Sequence, residues 1–164
     1  MSGGWGSRRG RTAPERANVD YPPNLITRLG REARVGHADR VPAAINDLVD
    51  YLLFADEAKI IDRIEGSSGY AEKFAALGPK DSKGRSLREF QLDGRMMKYP
   101  LSYMIYAPAI DALPAEPKAA LFRKLQQVLT GEDTSAKYAH LTPPTRQAIV
   151  EILKETKPDL ATLF

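Results

Sequence analysis

Three tyrosines and one histidine are the side chains whose types and spacing could line a ligand pocket. Tyr99, Tyr103 and Tyr106 follow one another at intervals of four and three residues, which would place them on one face of a helix. His140 precedes the last predicted helix and could act as a general base if a carboxylate oriented it. Buried tyrosines with a single satisfied hydroxyl are nevertheless more common than pocket-lining ones. These four residues form the alternative ligand-binding or enzymatic site, and no residue is assigned as catalytic.

A polar loop, residues 78–86, contains a second group that could bind an anion. It invites comparison with a phosphate-binding loop, but its spacing is one residue too long and Arg85 stands where that motif needs lysine. A helix also precedes the loop where the motif needs a strand, so the motif does not predict nucleotide hydrolysis. Arg85 and Arg88 are predicted at a helix N-terminus, where free N–H groups favour negative charge. Lys83, Arg85 and Arg88 are the candidate anion-binding residues, and a solvated loop is the alternative.

Metal and cofactor sites are not predicted. The chain contains no cysteine, which excludes thiolate metal sites, disulfides and cysteine nucleophiles. Its two histidines, His37 and His140, lack the helical spacing of a metal-binding motif. The four methionines occupy positions typical of core filling. We therefore expect no metal and no cofactor.

The charge of the chain argues against nucleic acid as its main partner. A net charge of +3 over 164 residues is lower than nucleic-acid-binding domains usually carry. Residues 1–23 contain four arginines and few apolar residues, which predicts a disordered basic leader. A second interpretation makes this leader an arm that binds nucleic acid or anionic lipid headgroups. No run of residues predicts a signal peptide or a membrane span.

The predicted core is built around residues 99–113, the most apolar and aromatic window of the chain. No Lys, Arg or Glu interrupts this window, and two prolines divide it into pieces too short for a membrane span. Amphipathic helices are expected on either side of it, which predicts an all-α fold with five to seven helices in one domain, residues 24–164. Their expected positions are about 24–35, 42–56, 70–77, 87–99, 114–131 and 142–158.

Several local signals refine this prediction. Asn24 and Ser68 are candidate caps of the first and third helices. Ser86 and Glu89 match the capping box, in which each side chain satisfies a free backbone donor of the other residue, and therefore predict a helix start. Residues 59–64 are interpreted as an extended connector that packs Ile60, Ile61 and Ile64 against the first two helices.

Six segments of the sequence, read together, resemble a known family. They match the C-terminal part of a family of uncharacterised bacterial exported proteins over about residues 25–164. Members of that family are longer and carry an upstream region and an export signal that this chain lacks. The resemblance therefore implies a fragment or trimmed domain with a periplasmic or exported location, and it supplies no catalytic residues. The segments are Asp47–Ala58, Gly66–Ala76, Gly84–Arg88, Tyr99–Tyr106, Tyr138–Leu141 and Ile152–Pro158.

These observations favour a non-catalytic helical module over an enzyme. We expect it to act through protein–protein or inter-domain contacts, with a partner protein or a missing upstream domain. The basic segment Gly78–Lys98 is the predicted contact surface, because it concentrates charge in a polar excursion from the helices.

Overall fold

The computed structural model describes residues 22–164, with side chains from Asn24 onward. The predicted leader, residues 1–23, lies outside this range apart from Pro22 and Pro23. The described chain contains seven α-helices, two 3₁₀ turns and one antiparallel pair of short strands, which confirms the helical fold class. The helices are α1 (Pro22–Arg34), α2 (Val41–Leu52), α3 (Tyr70–Ala76), α4 (Pro108–Asp111), α5 (Ala115–Thr130), α6 (Pro143–Thr156) and α7 (Pro158–Ala161); the 3₁₀ turns are Tyr103–Tyr106 and Ala136–Tyr138; the strands are β1 (Phe90–Asp93) and β2 (Arg95–Met97).

Four of the helices enclose the hydrophobic core. Helix α1 packs on α2, α2 packs on α5, and α5 packs on α6. Their buried side chains recur every three or four residues, so that each helix turns one apolar stripe inward. The predicted stripes are confirmed by burial of Ile45, Leu48, Val49 and Leu52 on α2, of Leu121, Phe122, Leu125, Val128 and Leu129 on α5, and of Ile149, Ile152 and Leu153 on α6.

Residues 99–113 contribute buried side chains to this core. Leu101, Ile105 and Ile110 are fully buried, although the segment contains only a 3₁₀ turn and the single-turn helix α4. The N–H group of Ser102 donates to the carbonyl oxygen of Leu52 at 2.7 Å, which joins the segment to the end of α2. So short a segment depends on packing for its conformation, because isolated turns are unstable in water.

The helix predicted at residues 87–99 is wrong, since a β-hairpin occupies most of this range. The N–H group of Ser86 donates to Glu89 Oε1 at 2.8 Å, which is one half of a capping box. The hydroxyl of Ser86, however, accepts from the N–H group of Arg88 at 3.2 Å, and the chain continues into β1. Gly94 makes the turn between the strands with a φ of +72°, a conformation that favours glycine.

The predicted packing of the connector is also wrong. The N–H groups of Ile60 and Ile64 donate to the carbonyl oxygens of Gly94 and Leu92 at 3.3 and 3.0 Å. This pairing aligns the connector with the hairpin instead of the first two helices. Ile61 is consequently 93% exposed and Ile64 is 52% exposed.

Helix boundaries differ from prediction at three points. Helix α1 begins at Pro22, so Asn24 lies within its first turn and does not cap it. Helix α3 follows Gly69, which has a φ of +64° and forms no side-chain cap, so Ser68 is not the cap. Helix α2 ends at Leu52 because Phe54 takes a left-handed φ of +53°, which a helix cannot accommodate.

Candidate interaction surface

The residues between α2 and the central segment form an outer layer on the helical core. We define the outer layer as residues 58–98, which include the connector, α3, the polar loop and the β-hairpin. Helix α3 has no fully buried residue. Five of the seven large apolar side chains that are exposed within residues 22–164 belong to this layer: Ile61, Ile64, Tyr70, Leu77 and Met96.

A cavity of about 420 Å³ opens between α3 and the hairpin. Its apolar walls include Ile64, Tyr70, Phe90, Leu92 and Met96, so three of the exposed apolar residues border it. Leu92 has a φ of +59° beside an irregularity in the strand register. Such bulges redirect side chains at sheet edges, and here the redirected residue lines the cavity.

An aromatic cluster attaches the outer layer to the core. Phe74 stacks on Phe90 with ring centroids 4.9 Å apart and on Tyr70 at 5.8 Å. Its edge contacts Tyr103 of the central segment at 5.3 Å. The Arg88 guanidinium lies 4.9 Å from the centre of the Phe74 ring and 4.3 Å from that of Tyr103. Aromatic pairs and cations over aromatic rings both stabilise such contacts beyond simple burial.

The polar loop is organised around the buried carboxylate of Asp81. Asp81 Oδ1 accepts hydrogen bonds from the N–H groups of Arg85 and Lys83 at 2.8 and 3.1 Å. Asp81 Oδ2 accepts from Arg85 Nε at 2.7 Å, and Arg85 Nη2 lies 2.6 Å away. The Asp81 side chain has no exposed surface. The carboxylate therefore fixes both the backbone of the loop and the direction of the Arg85 side chain.

Two carboxylates of α6 then hold this loop. Arg85 Nη2 and Lys83 Nζ donate to Glu151 Oε2 at 2.7 and 2.8 Å. The N–H group and the hydroxyl of Ser82 donate to the two oxygens of Glu155 at 2.6 and 2.9 Å. We call these residues, together with Asp81, the clasp. It is a second attachment of the outer layer, made of charges and hydrogen bonds instead of rings.

The clasp lowers the pKa values of Asp81 and Glu151. Burial raises the pKa of Asp81, but the hydrogen bonds from Arg85 and Lys83 outweigh it, so the net shift is downward. Hydrogen bonds from Lys83, Arg85 and Gln147 lower the pKa of Glu151 to about 2. Both carboxylates are therefore ionised at neutral pH and oppose the positive charges of the loop.

This arrangement engages all three predicted anion-binding residues. Lys83 and Arg85 are paired with carboxylates, and the Arg88 guanidinium lies over two aromatic rings. The premise that Arg85 and Arg88 lie at a helix N-terminus is wrong, because the loop leads into β1. Anion binding by this segment stays a prediction.

The three predicted pocket tyrosines make different contacts. Tyr99 is buried, with Lys98 Nζ 5.4 Å from the centre of its ring. Tyr103 belongs to the aromatic cluster. The hydroxyl of Tyr106 lies 2.6 Å from Thr156 Oγ1, and burial raises the pKa of Tyr106. Their shared role in ligand binding stays a prediction.

His140 lies at the junction before α6, where it contacts the end of α2. Its Nε2–H group donates to the carbonyl oxygen of Leu53 at 2.8 Å. No hydrogen bond or ring contact within residues 22–164 links His140 to one of the tyrosines. His37 is exposed in the loop after α1, and its Nδ1 lies 2.9 Å from Glu32 Oε2.

Residues 22–164 contain no group of three or more His, Asp or Glu side chains placed to hold a metal ion. None of the helices in this range is long and apolar enough to cross a bilayer.

Sequence reasoning missed the acids that organise the polar loop. Asp81 and Arg85 are separated by four residues, a spacing that was available as a signal. Glu151, by contrast, lies 68 residues from Lys83, and nothing local marks it as the partner. The sequence marks Ile61 and Ile64 of the connector as apolar but predicts that they pack against the first two helices, where they do not lie.

Comparisons of the chain with protein-family models, curated proteins and solved structures gave no match. The resemblance to exported proteins consequently stays a prediction.

Proposed function

We propose that this protein is a non-catalytic helical module that acts through protein–protein or inter-domain contacts, and that its outer layer supplies the contact surface. The observation that carries the proposal is the concentration of exposed apolar side chains in residues 58–98. Contiguous exposed apolar groups commonly mark interaction sites, because water leaves them when a partner binds.

The surroundings of these side chains support a specific interface. Exposed charged residues of both signs flank the apolar ones along the chain. We call them the rim, by comparison with interfaces that have an apolar centre and a polar rim. The aromatic cluster and the clasp hold the layer in one arrangement, which reduces the ordering that binding requires. The exposed charged residues of the rim include Lys59, Asp62, Arg63, Glu65, Glu72 and Lys73.

The proposal can be tested by crosslinking in cells that produce the protein. We expect a partner protein that crosslinks to the wild type and is recovered severalfold less by the double variant Ile61→Ser, Met96→Ser. Val35→Ser is the matched control, because Val35 is 58% exposed but lies outside the outer layer. This control should recover the partner as well as the wild type does.

Thermal melts of all three proteins exclude unfolding as the cause of a loss. Equal recovery of the partner by the double variant and by Val35→Ser would contradict the proposed surface. Recovery of no crosslinked protein by the wild type would contradict the proposed function itself.

A further inference from the structure

A second cavity, of about 460 Å³, lies where the start of α1 meets the end of α2. We call it the α2 cavity. Its apolar and aromatic walls are formed by Leu25, Tyr51, Phe54 and Ala55. It differs from the cavity between α3 and the hairpin in its acids, because the lining of that cavity has almost none. Its other lining residues are Asp47, Asp50, Asp56 and Glu57.

The α2 cavity retains unpaired negative charge. Asp47 is paired with Arg28 at 2.9 Å, and Asp50 is paired with Lys137 at 2.8 Å. Asp56 is exposed and makes no hydrogen bond or ion pair within residues 22–164. Glu57 uses one oxygen, which accepts from the N–H group of Met96 at 3.0 Å. Two carboxylates at the rim can therefore accept bonds from a cationic group.

The chain itself brings a matching segment to this place. Residues 1–21 contain four arginines and the only tryptophan of the protein, Trp5. They join α1 at Pro22, and Leu25, three residues later, is part of the cavity wall. Trp5 precedes Pro22 by 17 residues, a stretch that reaches up to about 55 Å when extended.

We propose that residues 1–21 dock on the α2 cavity, with Trp5 against Tyr51 and Phe54 and with arginines on Asp56 and Glu57. Acidic side chains alone would not identify an occupant. The aromatic walls suit an indole ring, the free carboxylates suit guanidinium groups, and the segment enters the fold beside the cavity. The residues that line the α2 cavity lie outside the outer layer, and the proposed contact uses Trp5 as its apolar anchor.

Covalent attachment makes even a weak contact effective. A short flexible linker gives an effective concentration of about 1 mM. An intrinsic Kd of about 0.1 mM would then leave the cavity about nine-tenths occupied. A contact of that strength would hold Trp5 on the cavity in most molecules.

Fluorescence of the full-length chain tests the contact directly, because Trp5 is its only tryptophan. We expect blue-shifted emission and severalfold weaker acrylamide quenching than in the urea-unfolded protein. Three changes should each move both values toward those of the unfolded chain. They are Asp56→Asn, Tyr51→Ala and a salt concentration of about 0.5 M, which screens exposed charges.

Asp62→Asn is the control, because Asp62 is also an exposed acid but lies outside the α2 cavity. It should leave Trp5 fluorescence unchanged. Emission as accessible as in urea would overturn the proposal, and so would protection that neither cavity variant weakens. Protection that disappears on dilution would identify a second copy of the chain as the occupant and would also overturn it.

Discussion

Replacing Asp81 with asparagine tests whether charge holds the polar loop in place. The substitution preserves the size of the side chain and leaves one oxygen to accept from the N–H groups of Lys83 and Arg85. The other oxygen becomes an NH₂ group that faces the Arg85 guanidinium, so two donors oppose each other where the carboxylate accepted at 2.7 Å. Arg85 keeps its second partner, Glu151.

The expected loss follows from these contacts. Removing one partner of a buried ion pair costs about 3–5 kcal/mol, and a hydrogen bond to a charged group contributes about 1.5–3 kcal/mol. The Arg85 side chain is 18% exposed and keeps Glu151 as a partner. The loss should therefore be closer to that of a hydrogen bond to a charged group than to that of a fully buried ion pair. We expect the free energy of unfolding to fall by about 2–3 kcal/mol, which lowers Tm by roughly 5–10 °C in a domain of this size.

Urea unfolding followed by circular dichroism measures this loss. Asp62→Asn makes the same chemical change at an exposed acid that has no partner within residues 22–164, and it should unfold like the wild type. If Asp81→Asn unfolds at the same urea concentration as this control, the clasp adds nothing to stability and the argument from its geometry fails.

Three further predictions address other contacts. Tyr103→Ala should lower the free energy of unfolding by about 2–4 kcal/mol through loss of its ring contacts. Tyr103→Phe should change it by less than about 0.5 kcal/mol, because no partner of the hydroxyl lies within residues 22–164. Urea melts distinguish the two variants. The pKa of Glu151 is lowered to about 2 from 4.5, so its stabilisation is complete above about pH 4.5 and is lost as the pH falls toward 2; the stability difference between wild type and Glu151→Gln should shrink over that window. Gly131→Ala should cost about 1–2 kcal/mol, because Gly131 has a φ of +85° and an added Cβ would lie 3.0 Å from Arg146 Nη1; Gly66→Ala, which meets no atom within 4 Å, is its control in thermal melts.

The sequence allowed prediction of the helices that bury a long apolar stripe. On α2 and α5 the buried residues recur at helical spacing over three turns or more, so the burial pattern is visible without the structure. The start of α6 was predicted for a similar local reason, since Thr142 Oγ1 accepts from the N–H group of Thr145 in the cap.

The hairpin was missed because it also pairs with the distant connector. The capping signal of Ser86 and Glu89 is real, and one of its hydrogen bonds forms. Strand pairing with Ile60, which is distant in the sequence, then determines the conformation of the following residues. Non-local contacts regularly override local preferences of this strength.

The predicted contact surface, Gly78–Lys98, overlaps the outer layer but was chosen for its basic charge. In the structure Lys83 and Arg85 are paired with acids of the clasp, and Lys98 is paired with Glu89 at 2.7 Å. Charges paired in this way contribute little net attraction to a distant anion. The apolar side chains are therefore the better basis for predicting a partner, and their exposure could be recognised only from the fold.

The aromatic cluster and the clasp, two attachments of the outer layer, respond to different conditions. Its helix α3 buries no residue completely, whereas Leu87 joins the hydrophobic core, so the aromatic cluster and the clasp hold the layer together with that contact. Acid weakens the clasp by protonating Asp81 and Glu151, whereas ring contacts do not titrate in that range. A partner that covers Ile61 and Met96 would add the apolar burial that the layer lacks, and binding to the folded arrangement stabilises it by mass action. Partner binding and the rigidity of the outer layer would therefore be coupled.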